Sequence, residues 1–258
     1  MNTVSNNAVS TNAVSERTTL VVGASSGLGR GIAVAFAEAG APVVAVARTA
    51  PALAELAATT GGITPEVADA SDAATPGILI DRHRPDNVIV VAGARPAIGP
   101  LHELTWESFS VNWNADVRIA FHWLREALLK PLSPGSRVIV VSSGAALNGS
   151  PLSGGYAGAK ATQRFITGYA QDEARRAELG IAFTAVLPQL TPATELGLAA
   201  VNAYAERAEL PVADYLRQLG DPLTPQTAGK ALLELAQADA DRLAPAYRLS
   251  GAGLHELR

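Results

Sequence analysis

Tyr156 and Lys160 stand four residues apart in Tyr156-Ala157-Gly158-Ala159-Lys160, and Ser142-Ser143 lies just upstream, thirteen residues before the tyrosine. On a helix, positions i and i+4 share a face. A nearby ammonium stabilises phenolate and so lowers a tyrosine's pKa from its ordinary value of about 10. A tyrosine tuned in this way donates a proton to a carbonyl oxygen or removes one from an alcohol. Ser143 is placed to hydrogen-bond the same oxygen. A Tyr–Lys pair on a helix is by itself common and usually structural. Its weight comes from the serine that ends a strand at the right distance and from a glycine-rich loop far upstream.

That loop is Gly23-Ala24-Ser25-Ser26-Gly27-Leu28-Gly29, between an apolar run and a helix-forming stretch. Glycines let a backbone turn sharply and approach a pyrophosphate closely. A helix amino terminus supplies free N–H groups and partial positive charge for phosphates. Ser25 and Ser26 add hydroxyl donors. The spacing is G-x-x-x-G-x-G, which points to a dinucleotide cofactor. At the end of the second strand, where an acid would bind a ribose 2′-hydroxyl, the chain has Ala47 and then Arg48. A cation without an acid favours the 2′-phosphorylated cofactor, NADP(H) over NAD(H). Asp69, after the third strand, is placed to accept an adenine amino group. Asp72 is read as the cap of the following helix. Lys160 is also placed to hold the nicotinamide ribose.

These residues need a scaffold, and the apolar runs supply one. Strands are predicted at Thr18 to Val22, Val43 to Val46, Ile63 to Ala68, Asn87 to Val91, Arg137 to Val141 and Ala182 to Leu187. They are apolar on both faces, as in a parallel sheet covered on both sides by helices. Helices are predicted between them. One runs unbroken from Trp106 to Leu129, and another from Gly155 to Leu179. The alternation predicts an α/β doubly wound parallel sheet in a single domain over residues 17–258. Residues 190–220 interrupt the rhythm with Pro192, Pro211 and two short helical pieces, a small helical lid after strand six. The polar opening, residues 1–16, is expected to be a disordered tail.

In the order and spacing of the glycine loop, Ser143 and Tyr156-x-x-x-Lys160, the chain resembles the classical short-chain dehydrogenase/reductase family over about residues 17–250. The resemblance implies a Rossmann-type fold, a nicotinamide cofactor and carbonyl/alcohol redox chemistry. It also implies homodimers or homotetramers packed through the two long helices. Three departures stand out. The family's Asn-Asn-Ala-Gly after strand four is Val90-Val91-Ala92-Gly93 here. Ala92-Gly93 keeps the part that lets the backbone pass close to the adenosine ribose. The family's fourth catalytic residue, an asparagine 27 residues before the serine, becomes Asp116, with Asn112 and Asn114 in poorer register. That asparagine helps hold a proton-relay water, largely through its backbone carbonyl. An ionised Asp116 beside Lys160 would hold the lysine's proton and partly cancel its effect on Tyr156. The alternative is a solvent-facing Asp116. Last, Pro-Gly after strand six becomes Pro188-Gln189. Pro188 is expected to steer the chain past the nicotinamide, and Thr194 (or Thr191) to bind the carboxamide or a phosphate.

Composition excludes several other classes. With Lys+Arg 20 against Asp+Glu 24 the net charge is −4, which argues against nucleic acid or an anionic membrane as partner. The chain has no cysteine, hence no disulfide, thiol nucleophile or thiolate metal site, and a cytoplasmic setting is expected. His83, His102, His122 and His255 show no ligand spacing, so no metal is expected. Ser143 lacks a G-x-S-x-G elbow and an evident histidine, which disfavours acyl transfer. Trp106, Trp113 and Trp123 are read as core or interface residues. Leu196, Leu198, Val201, Tyr204, Leu210 and Tyr215 suggest an apolar wall and hence a hydrophobic substrate. The expected function is NADP-dependent hydride transfer to or from a small carbonyl/alcohol substrate. The alternatives are a cofactor-binding regulatory or scaffold protein on the same fold, or related chemistry such as epimerisation or dehydration.

Overall fold

The computed structural model describes residues 12–257. Runs of Val, Ile, Leu and Ala form β1 (Thr19–Val22), β2 (Val43–Ala47), β4 (Asn87–Val90), β5 (Arg137–Val141) and β6 (Ala182–Pro188), nearly every residue buried. The more polar β3 (Ile63–Val67) lies at one edge. Two strands beyond those expected, β7 (Ala246–Ser250) and β8 (Gly253–Leu257), form an antiparallel hairpin at the other edge. The order is β3-β2-β1-β4-β5-β6-β7-β8, parallel throughout except for β8. Direction of winding reverses between β1 and β4. At such a switch point the loops at the carboxyl ends of neighbouring strands part and leave a crevice.

Eleven helices pack around this sheet among the described residues: α1 (Asn12–Ser15), α2 (Gly27–Glu38), α3 (Ala50–Thr59), α4 (Thr75–His83), α5 (Trp106–Asn112), α6 (Arg118–Leu129), α7 (Ala145–Asn148), α8 (Gly154–Arg176), α9 (Glu195–Arg207), α10 (Val212–Gln218) and α11 (Pro225–Gln237). One face of the sheet is sealed by α2 and α11 around Phe36, Ile32 and Leu232. The other is sealed by α4, α6 and α8 around Trp123, Leu79 and Phe183. None of these helices is long and apolar enough to cross a membrane.

Two expectations are corrected. The helix read as continuous from Trp106 to Leu129 is broken by a π-helical turn, Trp113–Val117, between α5 and α6. One extra residue in a turn leaves the apolar period almost intact but rotates the side chains within it. The tail read as disordered to residue 16 is structured at its end, where α1 tucks Val14 into the core at 5% exposure. The rest of that reading, residues 1–11, lies outside the described residues. Of the tryptophans, Trp123 is fully buried, but Trp106 and Trp113 are exposed.

Trp123 also ties the scaffold to the site. Its indole Nε1 donates to the Ala70 carbonyl, 3.2 Å away, which fixes the loop carrying Asp69 against α6. Trp123→Ala is expected to lower stability by about 3–5 kcal/mol, measured by urea unfolding.

Candidate active site

A cleft of about 2240 Å³ runs across the carboxyl ends of the strands. That is larger than the ~300–1,000 Å³ of an ordinary small-ligand pocket, and it suits a dinucleotide and a substrate together. One end is the glycine loop. Gly23 has φ +97°, and a Cβ there would lie 2.7 Å from the Ala92 nitrogen, so only glycine permits this crossing of the two loops. Ser26 begins α2 without a side-chain cap. The first-turn N–H groups therefore keep no intrahelical partner and are available to an anion. Ser25, Ser26, Gly27, Leu28 and Gly29 line this end.

Arg48 and Asp69 line the cleft next to the loop. The Asp69 carboxylate accepts at Oδ1 from the Ser71 N–H (2.9 Å) and the Ser71 hydroxyl (2.7 Å). These bonds hold its pKa below the usual value, with a smaller pull from Arg48. Asp72 does not cap α4 as expected. It closes a turn onto the Ala74 N–H (2.8 Å), and Ala74 is the residue at the N-cap of α4.

At the other end, Ser143 and Tyr156 face the cleft with Lys160 beneath them. Ser143 Oγ accepts from the Ala145 N–H at 3.2 Å. Ser142 is buried and donates to the Lys160 carbonyl at 2.7 Å, which pins α8 to the end of β5. Lys160 Nζ lies 5.5 Å from the centre of the Tyr156 ring.

Asp116 is 1% exposed, so the solvent-facing alternative is excluded. The π-helical turn swings it inward, where Oδ2 pairs with Lys160 Nζ at 3.1 Å. Oδ1 accepts from the Ala94 N–H at 2.8 Å and from Asn112 Nδ2 at 3.2 Å. Every neighbour of this carboxylate is a donor. An asparagine would have to turn its own NH₂ toward Lys160 or toward Ala94 and Asn112. The position is therefore charge-specific and not a neutral substitute for asparagine. Gly93 makes the room: a Cβ there would sit 2.6 Å from Asp116 Oδ2. The Asp116 backbone carbonyl, which the family resemblance assigns to a water, already accepts from Gln163 Nε2 at 2.9 Å.

Lys160 is 4% exposed. Burial alone pushes its pKa down. The charge of Asp116, the Tyr156 phenol and the hydrogen bond to Asp116 more than offset this, and the net direction is up. Its remaining N–H groups go to Gln163 Oε1 (2.9 Å) and the Val141 carbonyl (3.5 Å). An ammonium has three donors, and all three meet protein acceptors.

The segment after β6 fits its expected role only in part. Pro188 ends β6 on the cleft. Thr194 rests over the loop, its methyl 3.6 Å from where a Gly27 Cβ would be. Its hydroxyl is spent on capping α9: it accepts from the Gly197 N–H (3.0 Å) and donates to the Thr191 carbonyl (2.9 Å). Thr191 Oγ1 donates to the Gln189 carbonyl, and Gln189 Nε2 to the Asp221 carbonyl. Of the six apolar lid residues, Leu196, Tyr204 and Tyr215 line the cleft. Val201 is fully buried in packing. Leu198 and Leu210 are not on the cleft wall.

Several contacts escape the sequence reading. Tyr204 of α9 bonds the hydroxyls of Ser150 and Ser153, beside Tyr156. Arg95 pairs with Glu195 across the mouth of the cleft. Gln163 gives no distinct sequence signal, because Lys160 and Thr167 share its buried helix face and make the amide one polar residue among several.

Residues 17–203 match the family model described as short chain dehydrogenase. A D-erythrulose reductase of Gallus gallus is 34% identical over 130 residues, covering 49% of this chain and 52% of the relative. An uncharacterized short-chain type dehydrogenase/reductase of Sinorhizobium fredii is 36% identical over 109 residues, covering 42% of this chain and 44% of the relative. The chain thus spans about half the length of these curated relatives in the matched regions. Among solved structures, a short chain dehydrogenase from Mycobacterium avium aligns with TM-score 0.74 at 20% identity, over 94% of this chain and 85% of that one. A variant actinorhodin polyketide ketoreductase with NADPH aligns with TM-score 0.77 at 20% identity, over 92% and 96%. At this identity the structural likeness speaks for the fold.

The Asp116 geometry yields a two-part expectation. Asp116→Asn leaves the buried Lys160 charge without its partner and costs about 3–5 kcal/mol of stability. It also lets the lysine's field act on Tyr156 undiminished. The pH dependence of turnover is expected to change, and an unchanged profile contradicts the electrostatic role.

Proposed function

The chain belongs to the short-chain dehydrogenase family, and we propose that it is an NADP(H)-dependent oxidoreductase acting on a small carbonyl or secondary alcohol. The observation that carries the reading is one cleft lined both by Ser143, Tyr156 and Lys160 and by an uncapped helix terminus behind a glycine loop. A nicotinamide held in this cleft would supply the hydride donor or acceptor for the substrate carbon. Ser143 hydrogen-bonds the substrate oxygen and orients it. Tyr156 gives its phenolic proton to that oxygen in reduction and takes it back in oxidation. Lys160, buried beside it with Nζ 5.5 Å from the ring centre, places a positive charge next to the phenol. Gly23, Ser25, Ser26 and the first turn of α2 would hold the pyrophosphate, and Ala92 and Gly93 would hold the adenosine ribose.

The preference for the phosphorylated cofactor rests on Arg48 following β2 with no acid at its end. The NADPH in the actinorhodin ketoreductase structure is in keeping with it. On this reading residues 17–258 form one catalytic domain, with α9 and α10 as the lid. The lid's Leu196, Tyr204 and Tyr215 favour a substrate with a hydrophobic portion. Exposed Phe121 on α6 and Phe165 and Tyr169 on α8 support self-association through the long helices.

One observation favours a second reading, a cofactor-binding protein with little turnover. All three Lys160 donors are engaged within the protein. Substitution at Tyr156 separates the two. Tyr156→Phe is expected to keep NADPH binding, followed by cofactor fluorescence, and to lower carbonyl turnover by about 10²–10⁴-fold. Equal turnover in both proteins contradicts the catalytic assignment. Arg48→Ala is expected to weaken NADPH binding while leaving NADH binding nearly unchanged; equal loss for both removes the basis for the NADP preference.

A further inference from the structure

Gln163 lies on α8 at 1% exposure, and both ends of its amide are in use. Oε1 accepts from Lys160 Nζ at 2.9 Å, and Nε2 donates to the Asp116 carbonyl at 2.9 Å. The opposite amide orientation would set NH₂ against an ammonium and oxygen against oxygen, so the network itself fixes the orientation. Its backbone is held as well: the Thr167 hydroxyl, fully buried one turn on, donates to the Gln163 carbonyl at 2.7 Å. A buried amide is costly unless satisfied. A leucine would fill the same space with no polar demand. What the amide adds is a strut between α8 and the π-helical turn, with the lysine's charge fastened to it.

We infer that Gln163 is a positioning residue that holds the Lys160 ammonium down against Asp116 and so sets how much positive field reaches Tyr156. The inference rests on the proposed role of Tyr156 as the proton donor. Its physical content is a competition among acceptors. Lys160 meets Asp116 Oδ2, Gln163 Oε1 and the Val141 carbonyl, all belonging to buried residues. Without the Gln163 acceptor, one N–H is left buried and unpaired. The same change frees the Asp116 carbonyl, but Asp116 already holds the ammonium through Oδ2, and the inference is that the freed N–H turns toward the cleft, to the Tyr156 hydroxyl and solvent. The ammonium moves that way and phenolate is favoured. A glutamate at 163 does the opposite. It adds a negative charge beside Lys160 and offers no donor to the Asp116 carbonyl, so phenolate is disfavoured.

The other groups around this cluster do not blur the sign. The charged or titratable side chains acting on Lys160 are Asp116, from the π-helical turn, and Tyr156, from α8 itself. From β5 come the Val141 carbonyl and the neutral Ser142 and Ser143. From the lid comes the Tyr204 phenol, bonded to Ser150 and Ser153.

The test is an ultraviolet difference titration of tyrosinate in the full-length protein without cofactor, for the parent, Gln163→Leu and Gln163→Glu. The Tyr156 step is assigned by subtracting the matching Tyr156→Phe protein in each background. The expected result is a midpoint about one pH unit lower in Gln163→Leu and about one unit higher in Gln163→Glu. The pH profile of NADPH-dependent turnover should follow in the same directions. General loosening of the helix cannot produce shifts of opposite sign. Identical midpoints in all three proteins, or movement of both variants in one direction, would overturn the inference. If Gln163→Glu does not fold, as judged by circular dichroism, Gln163→Met against the parent carries the test, with a lower midpoint expected and an unchanged one overturning. Absence of turnover in every protein would sink the oxidoreductase reading, while the titration would still decide the role of Gln163.

Discussion

A carboxylate and an ammonium share one dry space in this protein, and much of the site is arranged to make that tolerable. Taking either ion out of water costs several kcal/mol even after relaxation. Asp116 and Lys160 offset that cost in each other, but only because every remaining lone pair and proton also finds a partner. Ala94 and Asn112 donate to the carboxylate, and Gln163 and Val141 accept from the ammonium. The backbone carries the mark of the pair too. The helix before β5 opens into a π-helical turn to deliver Asp116, and Gly93 forgoes a side chain so that the carboxylate can approach. Several features that look separate in the sequence are thus consequences of one buried charge pair.

The sheet determines where the pair has to be. The switch between β1 and β4 opens the crevice, and the glycine loop and the Ser143–Tyr156 end flank it at the carboxyl ends of β1 and β5. Ser142 and Trp123 then transmit the position of the scaffold to the chemistry. The first fixes α8 to β5, and the second fixes the loop after β3 to α6. The lid rests on this frame through Thr194 over Gly27 and through Tyr204 on Ser150 and Ser153. Its own helix cap takes up the Thr194 hydroxyl, so Thr194 is a structural element before it is a contact for any ligand.

What could be read from the sequence was what has a local cause. The β-branched runs had to be central parallel strands, and a glycine loop between strand and helix has few uses. Ser143, Tyr156 and Lys160 meet because strand end and helix pitch bring them together. What stayed hidden depends on contacts between distant segments. The π-helical turn leaves the apolar period from Trp106 to Leu129 almost unchanged, so Asp116 could be placed by register but not by direction. Gln163 looks like any amide on a helix until the Asp116 carbonyl and Lys160 are seen beside it. The β7–β8 hairpin is short and half polar, and Val14 is one apolar residue in a polar stretch. The capping role of Thr194 was legible in principle, since a threonine opening a helix is a standard N-cap.

The central claim is that Asp116 more than compensates for the burial of Lys160. The chain's lysines are Lys130, Lys160 and Lys230, so selective ¹⁵N labelling gives a readily assigned set of ammonium signals. A pH titration by NMR reads the Lys160 signal directly. The account predicts that Lys160 keeps its proton to higher pH than an ordinary lysine, and that Asp116→Asn abolishes this. Loss of the Lys160 proton at or below the pH of the other two lysines would contradict it, because burial would then have won over the ion pair.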